Sequence, residues 1–246
     1  MKRLIAVVLI AASLALSGCG FTFSLGGNAV QGSGNLSSES RPVSGFDQIV
    51  LNGSGDAQIS QGDSESLKIE AEDNILPLIT SEVQNGKLVI GLKNNTSIST
   101  LRGIRYTITV KSLKGLELNG SGNVTLGSLQ ADSLGLVIRG SGNVTTGTLQ
   151  GKQLNVQSSG SGDFNINGGK VDSQSINMSG SGDFTAPDLE SQSAAVTIAG
   201  SSSVTLWAKG TLNLSISGSG DVSYYGSPTV SKSISGSGSI ANHGSK

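Results

Sequence analysis

Cysteine, histidine and tryptophan each occur only once in this sequence of 246 residues, as Cys19, His243 and Trp207. A single cysteine excludes an intramolecular disulfide, so packing must stabilise the fold. One cysteine and one histidine also leave too few ligands for a zinc site. A Ser-His-Asp triad would have to recruit His243 from a polar tail, and no serine has the flanking glycines of a nucleophile elbow. The sequence therefore predicts a protein that is not an enzyme.

Charged residues are also scarce, at 13%, and aromatic residues make up only 4% of the chain. Lysine and arginine total 16 against 17 aspartate and glutamate, a net charge of −1. Removal of residues 1–18 would leave 14 basic and 17 acidic residues, a net charge of −3. We therefore expect no nucleic-acid partner, because such partners require a concentrated positive surface.

The longest apolar run lies at the start of the chain, where Lys2 and Arg3 precede residues 4–16. A basic segment followed by a 13-residue apolar core is typical of a secretory signal peptide and is too short to span a membrane as a helix. The sequence therefore predicts export from the cytoplasm.

The residues that follow this run, Leu16-Ser17-Gly18-Cys19, resemble a bacterial lipobox. The resemblance implies a lipoprotein signal peptide at residues 1–18 and acylation of Cys19 by chains such as palmitate, which together would anchor the protein firmly to a membrane. Gly20 follows in place of the aspartate associated with inner-membrane retention, and by analogy this favours the outer membrane, on either its periplasmic or its exterior side. The alternative is that Cys19 is merely a small residue at an ordinary cleavage site.

A phrase of Gly-Ser-Gly followed by Asn or Asp recurs through residues 116–240, and an earlier copy begins at Gly53. Successive phrases begin 20, 20, 20, 20, 18 and 18 residues apart. A nearly constant period of this length is typical of a solenoid, in which each coil buries its apolar face only against its neighbours. The phrases begin at Gly120, Gly140, Gly160, Gly180, Gly200, Gly218 and Gly236, and the one at Gly200 is degenerate.

Apolar residues alternate on both sides of each phrase, which indicates two short strands per coil, joined by a glycine corner that calls for positive φ. Weaker apolar positions at Leu129 and Leu149 indicate a third face. A disordered Gly/Ser tract would not keep branched apolar residues in register. We therefore predict an all-β fold, a single-stranded β-helix (β-solenoid) with about 18–20 residues per coil. Its inward columns are Leu116, Leu136, Val156, Ile176, Val196 and Leu214 before the corner, and Val124, Val144, Phe164, Phe184, Val204, Val222 and Ile240 after it.

The repeat is absent between residues 56 and 116, where alternating apolar residues predict further strands. Residues 74–83, with Pro77 in the first turn, favour a short helix. The predicted organisation is a flexible tether at residues 19–40, a solenoid domain at 41–240 and a tail at 241–246. Within the domain, residues 41–115 form a β-rich N-terminal cap and residues 116–240 carry the Gly-Ser-Gly repeats.

Three segments resemble the bacterial auto-transporter adhesin head family, also called the GIN domain. They are Arg41 to Ile49, the strand that ends Gly86-Lys87-Leu88-Val89-Ile90, and Leu116-Glu117-Leu118-Asn119-Gly120-Ser121-Gly122-Asn123 with the corners that follow. The resemblance implies a right-handed β-helix, an extracytoplasmic setting and an adhesin-like role. It implies no catalytic residue.

Two carboxylates, Asp163 and Asp183, occupy the same corner column on adjacent coils, about 5 Å apart. They could share a cation such as calcium, or they could be solvated corner caps, since two carboxylates fall short of the 6 to 8 ligands that calcium takes. No other cofactor is expected. A polysaccharide-active enzyme would need a basic residue near this cluster, for which Arg139 is the one candidate.

Trp207 and Tyr225 fall in one column on successive coils, beside inward-facing Leu206 and Tyr224. Both should therefore point outward, about 5 Å apart, where they could contact a sugar ring. The alternative is that they shield the last coils or form an oligomer contact.

The function favoured by these features is a non-enzymatic, lipid-anchored β-solenoid of the cell envelope that binds a surface polymer, a glycan or a matrix protein. The alternatives are a structural or assembly component of the envelope without a ligand, and a degenerate polysaccharide-active enzyme. A homo-oligomer is compatible with the flat ends of a β-helix.

Overall fold

Strands of successive coils pair in parallel and in register, one period apart, in the computed structural model, which describes residues 29–246. The predicted signal peptide (residues 1–18) and the predicted lipidation site, Cys19, lie outside the described residues. The first strands are β1 (Val30–Gln31), β2 (Leu36–Arg41), β3 (Gln48–Gly53), β4 (Asp56–Gln61), β5 (Ser66–Glu72), β6 (Ile79–Gln84), β7 (Lys87–Leu92), β8 (Ile98–Ser99) and β9 (Arg105–Val110). The repeats form β10 (Gly115–Gly120), β11 (Val124–Leu126), β12 (Leu129–Ile138), β13 (Val144–Ser158), β14 (Phe164–Met178), β15 (Phe184–Gly200), β16 (Ser203–Gly218), β17 (Asp221–Tyr225), β18 (Thr229–Gly236) and β19 (Ile240–Asn242).

The predicted all-β solenoid is confirmed, with about 6 turns. Each full coil has an entry face before the corner (for example residues 136–138), an exit face after it (144–146) and a third face (149–154). On the exit face Val144 pairs with Phe164, and Phe164 with Phe184, and all three are at most 1% exposed. Burial of each such side chain stabilises the fold by about 1.5–3 kcal/mol, so the stacked columns form the core.

Corner glycines are required mainly by the close approach of neighbouring coils. A Cβ on Gly160 would overlap the carbonyl oxygen of Gly140, although Gly160 is not among the residues with positive φ. Positive φ applies at other corners, such as Gly218 with φ 124° and Gly236 with φ 132°. Positive φ, the reason predicted from the sequence, therefore explains only some of the corner glycines, and the close approach of coils explains the others.

The corner at Gly200, whose sequence departs from the repeat, keeps the regular pairing in the structure, because Gly200 pairs with Gly218. Ser202 is 1% exposed, and its hydroxyl donates a hydrogen bond to the Gly180 carbonyl at 3.2 Å. The shortening from 20 to 18 residues occurs instead after Thr205, where β15 and β16 shift register. The offset between paired residues falls from 20 to 17 at the bend between the exit face and the third face, and it becomes 18 after Ser191.

The N-terminal part is β-rich, but its coils are not stacked in chain order. Strand β3 lies between β7 and β10, and β4 lies between β9 and β11. The chain thus builds an outer coil from β7 and β9 before it passes back to the other side of β3 and β4. Antiparallel strands β2, β5 and β6 cover this end of the solenoid. This excursion is why the period disappears between residues 56 and 116.

The helix predicted at residues 74–83 is wrong. The structure has only a 3-10 turn at Leu76–Leu78, and residues 79–84 form β6. A tight turn at Asn85 and Gly86, with φ of 51° and 77°, pairs β6 with β7. That hairpin completes the sheet, and its tertiary pairing outweighs local helix preference.

The tether predicted at residues 19–40 also needs correction, because residues 30–41 contain β1 and β2. Strand β1 pairs with β8, and the Asn74 side-chain amide donates to the Gln31 carbonyl at 2.7 Å. Ser33 donates through its hydroxyl to Asp73 at 2.5 Å. The Gly32-Ser33-Gly34-Asn35 phrase is therefore part of the cap. No helix among residues 29–246 is long and apolar enough to cross a membrane.

Candidate functional site

Trp207 and Tyr225 are register neighbours on β16 and β17, at the end of the exit face. The residues before them, Leu206 and Tyr224, are 0% and 9% exposed, whereas both aromatic side chains are half-buried. Strand alternation therefore directs the pair outward, as the sequence predicts. This pair, together with the neighbouring groups of β15 and without the C-terminal tail, is referred to below as the aromatic site.

The backbone beneath Trp207 is held by buried polar side chains. Its carbonyl accepts hydrogen bonds from the Ser191 hydroxyl at 2.9 Å and from the Gln174 amide at 3.4 Å. Ser191 and Gln174 are 0% and 2% exposed. These donors lie where the coil shortens, so the bend that places Trp207 is fixed from inside the core.

The tail packs against the aromatic site rather than extending into solvent. His243 stacks on Tyr225 with ring centroids 5.3 Å apart and 30° between planes. The Lys246 ammonium lies 4.4 Å from the Tyr225 ring centroid and 5.9 Å from that of Trp207. Cation–π contacts of this kind contribute about 0.5–2 kcal/mol.

Backbone pairing positions this tail, which the sequence assigned to residues 241–246. Residues 240–242 form β19, and the His243 N–H donates to the Tyr224 carbonyl at 2.9 Å. The Gly226 N–H donates to the Gly244 carbonyl at 2.7 Å. The polar tail around His243 is therefore ordered, because these hydrogen bonds extend the exit face by one more strand.

Lys246 also has polar partners on β15. Its ammonium donates to the Pro187 carbonyl at 2.8 Å and forms an ion pair with Asp188. The repeat does not indicate where the tail lies, so the sequence does not predict that Lys246, Asp188 and His243 meet beside the aromatic pair.

A second carboxylate near the pair is already neutralised. Glu190 is the register neighbour of Trp207 and forms ion pairs with Lys170 at 3.0 Å and Lys209 at 3.5 Å. The hydrogen bond from Lys170, ahead of the charges of both lysines, holds the pKa of Glu190 below its ordinary value. Asp188 is thus the carboxylate of this edge that pairs with Lys246.

Asp163 and Asp183 lie in one corner column, as predicted, but their contacts are with backbone donors. The Asp183 N–H donates to Asp163 Oδ1 at 2.8 Å, and the Ser203 N–H donates to Asp183 Oδ1 at 2.8 Å. Each carboxylate therefore caps the corner of the next coil. Across residues 29–246 no group of three or more histidine, cysteine or acidic side chains could hold a metal ion. Calcium binding at this column stays a prediction.

Arg139 does not join this column. Its guanidinium forms an ion pair with Glu117 and approaches Asn119 Oδ1 at 3.4 Å, both in the preceding coil. The structure therefore does not assemble the basic residue and acidic cluster that a polysaccharide-cleaving site would need. Lys152 likewise pairs with Asp132 at 3.0 Å, as a surface ion pair.

Glu72 is a buried carboxylate that the sequence argument did not single out. It is 0% exposed, and its Oε1 accepts the Leu101 N–H at 2.8 Å. Its Oε2 has no hydrogen-bond partner among the described residues. The residue lies beneath Gly32, where any side chain would overlap it. Glu72 therefore belongs to the packing of the N-terminal cap.

The chain matches a known family over residues 45–228, more than half of its length. The family is described as "Putative auto-transporter adhesin, head GIN domain". No curated protein matches the chain.

Several solved structures are similar to this chain. A "putative adhesin" from Bacteroides fragilis is 28% identical, covers 87% of this chain and 100% of its own, and gives a TM-score of 0.81. A "Putative lipid binding protein" from Parabacteroides distasonis is 28% identical, covers 87% and 99%, and gives 0.71. A "putative adhesin" from Parabacteroides merdae, at 21% identity, covers 88% and 99% with a TM-score of 0.69, which supports the fold alone.

Proposed function

Since the chain belongs to the auto-transporter adhesin head family, the GIN domain, we propose that it is a non-enzymatic, adhesin-like binding module of the bacterial cell envelope. We further propose that it is a lipoprotein held at the outer membrane through Cys19. The lipobox-like residues 16–19 after a basic and apolar leader support this anchor. A stack of parallel coils then presents a long, regular surface for contact with a partner.

The observation that carries the binding role is the aromatic site. Trp207 and Tyr225 are half-buried neighbours on adjacent strands, and Trp207 is the sole tryptophan of the sequence. The chain has few aromatic side chains, yet two of them lie side by side on this surface. Because aromatic rings are among the residues that contribute most to binding energy at interfaces, this pair is a candidate contact point. The expected ligand is a surface polymer, a glycan or a matrix protein.

The test is an array of glycans and matrix proteins probed with residues 29–246, with and without calcium. We expect specific binding by the wild type and at least a tenfold loss in the double variant Trp207→Ala, Tyr225→Ala, about 1.4 kcal/mol. The matched control is Gln157→Ala with Asn177→Ala, a register pair on the entry face.

An array on which the wild type binds nothing would contradict the adhesin-like role and favour a structural role in the envelope. Equal binding by the aromatic variant and the control variant would place the contact elsewhere on the solenoid. Thermal unfolding of each variant shows whether a loss of binding comes from the site or from a loss of folded protein.

A further inference from the structure

The environment of Lys246 is unlike that of the other paired lysines in residues 29–246. Its side chain is 28% exposed, whereas the lysines of the other ion pairs are 52–69% exposed. Long charged side chains at a surface normally keep the ammonium in water. Partial burial of this one therefore requires compensating contacts, and the aromatic site supplies them.

Four groups surround the ammonium. They are the faces of Tyr225 and Trp207, the Asp188 carboxylate and the Pro187 carbonyl. An ammonium group has three N–H donors and no acceptor, so a carbonyl, a carboxylate and the negative faces of two rings match its chemistry. A neutral sugar hydroxyl can donate to the carboxylate or the carbonyl, but it carries no positive charge for the carboxylate and the ring faces to stabilise.

These groups come from separate parts of the chain. Pro187 and Asp188 lie on β15, and the two rings lie on β16 and β17. The core beneath Trp207 holds its backbone through Ser191, independently of the tail. The tail itself is positioned by the hydrogen bonds of residues 243 and 244, two residues before the lysine. The receptor groups thus belong to the solenoid, and Lys246 is the occupant.

We propose that the aromatic site is a receptor for a lysine side chain, that Lys246 fills it in the isolated protein, and that a lysine of a protein partner binds there by displacing Lys246. The inference rests on the proposed function in one respect, because it assigns the ligand to the same aromatic pair. It commits to a protein partner because the group bound in the site is the ammonium of a peptide lysine. Residues 243–246 then act as an internal competitor that lowers the affinity for weak ligands.

The test uses the fluorescence of Trp207, which reports on the site without background from another tryptophan. The probe is Nα-acetyl-lysine-N-methylamide, and its neutral counterpart is the norleucine analogue. The variant Lys246→Met removes the ammonium and keeps an unbranched side chain. Lys209→Met is the matched control, since Lys209 pairs with Glu190 on the same edge but does not contact the rings.

We expect Lys246→Met to shift the Trp207 emission and to bind the lysine probe at least tenfold more tightly than the wild type or Lys209→Met. The norleucine analogue should not bind. Adding Asp188→Asn to Lys246→Met should abolish binding of the lysine probe, because the carboxylate is then neutral. Unfolding temperatures close to that of the wild type would show that the variants are folded.

Unchanged emission in Lys246→Met, or equal affinity for the lysine and norleucine probes, would overturn the proposal. A third arm uses glucosamine: tighter binding of glucosamine than of the lysine probe would overturn the assignment to a protein partner. The array outcome is separate. If the lysine probe binds but the wild type binds nothing on the array, the proposed function is contradicted and the lysine site is established. If the wild type binds on the array and Asp188→Asn leaves that binding unchanged, the proposed function is supported and the lysine site is contradicted.

Discussion

At the scale of single residues, burial changes the ionisation of one tyrosine in the cap. Tyr106 on β9 is 4% exposed, and this burial raises the pKa of its phenol to about 12, while the nearby Arg41 charge acts in the opposite direction. Arg41 itself is fixed by hydrogen bonds to the Ile79 and Leu76 carbonyls at 2.7 and 3.0 Å. A tyrosine and an arginine of the cap are thus held in place by the covering strands.

This phenol predicts a loss of stability at alkaline pH. An unfolded tyrosine ionises near pH 10, so between pH 10 and about 12 the folded state retains a proton that the unfolded state releases. The stabilisation is fully present below pH 10 and is lost as pH rises through about 12, on the order of 3 kcal/mol. Urea unfolding from pH 8 to 12 should show this slope in the wild type and a shallower one in Tyr106→Phe. Parallel slopes in the two proteins would contradict the prediction.

At the scale of elements, several corners are stabilised by a side chain of the preceding coil. Asn143 Oδ1 accepts the Asp163 N–H at 2.9 Å, and Asp221 Oδ1 accepts the Ser239 N–H at 2.9 Å and its hydroxyl at 2.6 Å. The Ser239 hydroxyl, followed by its N–H, holds the pKa of Asp221 below its ordinary value. Asn and Asp are interchangeable in this column because both supply the acceptor.

These hydrogen bonds between corners predict different effects for two substitutions of Asp183. Asp183→Ala removes the acceptor of the Ser203 N–H and should lower the free energy of unfolding by about 1 kcal/mol, whereas Asp183→Asn keeps the acceptor and should be close to neutral. Chemical denaturation measures both. Repeating it with calcium tests the cation: stabilisation of the wild type that Asp183→Asn lacks would support a calcium site, and equal curves with and without calcium would exclude one.

The last coil shows how an inward column ends. Lys232 on β18 pairs with Leu214, so a lysine takes the place that a branched apolar residue has in each preceding repeat. Ile234, two residues on, is 40% exposed. Lys232 is exposed at this end of the solenoid, and a charged side chain on an edge strand opposes pairing with another chain. The predicted homo-oligomer would therefore have to use a surface other than this edge.

At the scale of the whole molecule, the cap and the aromatic site lie at opposite ends of the stack of coils. Strands β1 and β2 are part of the cap, and Trp207 and Tyr225 lie among the final strands. If Cys19 is the anchor, at most about 35 Å of chain separates it from the first described residue, at about 3.5 Å per residue. The proposed anchor thus keeps the cap, rather than the aromatic site, near the membrane.

The anchor is tested by labelling. Cells that express the wild type and are supplied with labelled palmitate should incorporate it into this protein, because the lipobox-like residues predict acylation of Cys19. Cys19→Ser should incorporate none, and Gly20→Ala serves as the neighbouring control that keeps the label. Label retained in Cys19→Ser would show that the anchor assignment is wrong.

The sequence by itself determined the repeat region, because in a solenoid each residue packs against the one a period away, and the period is visible. The columns ending at Leu214 and Ile240, the glycine corners and the outward direction of Trp207 and Tyr225 all follow from that rule. Only the tertiary structure decided the order of coils in the cap, the strands within residues 30–41 and 79–84, and the contact of Lys246 with the aromatic site. These depend on contacts between segments that share no period, so neither local propensity nor spacing carries a signal for them.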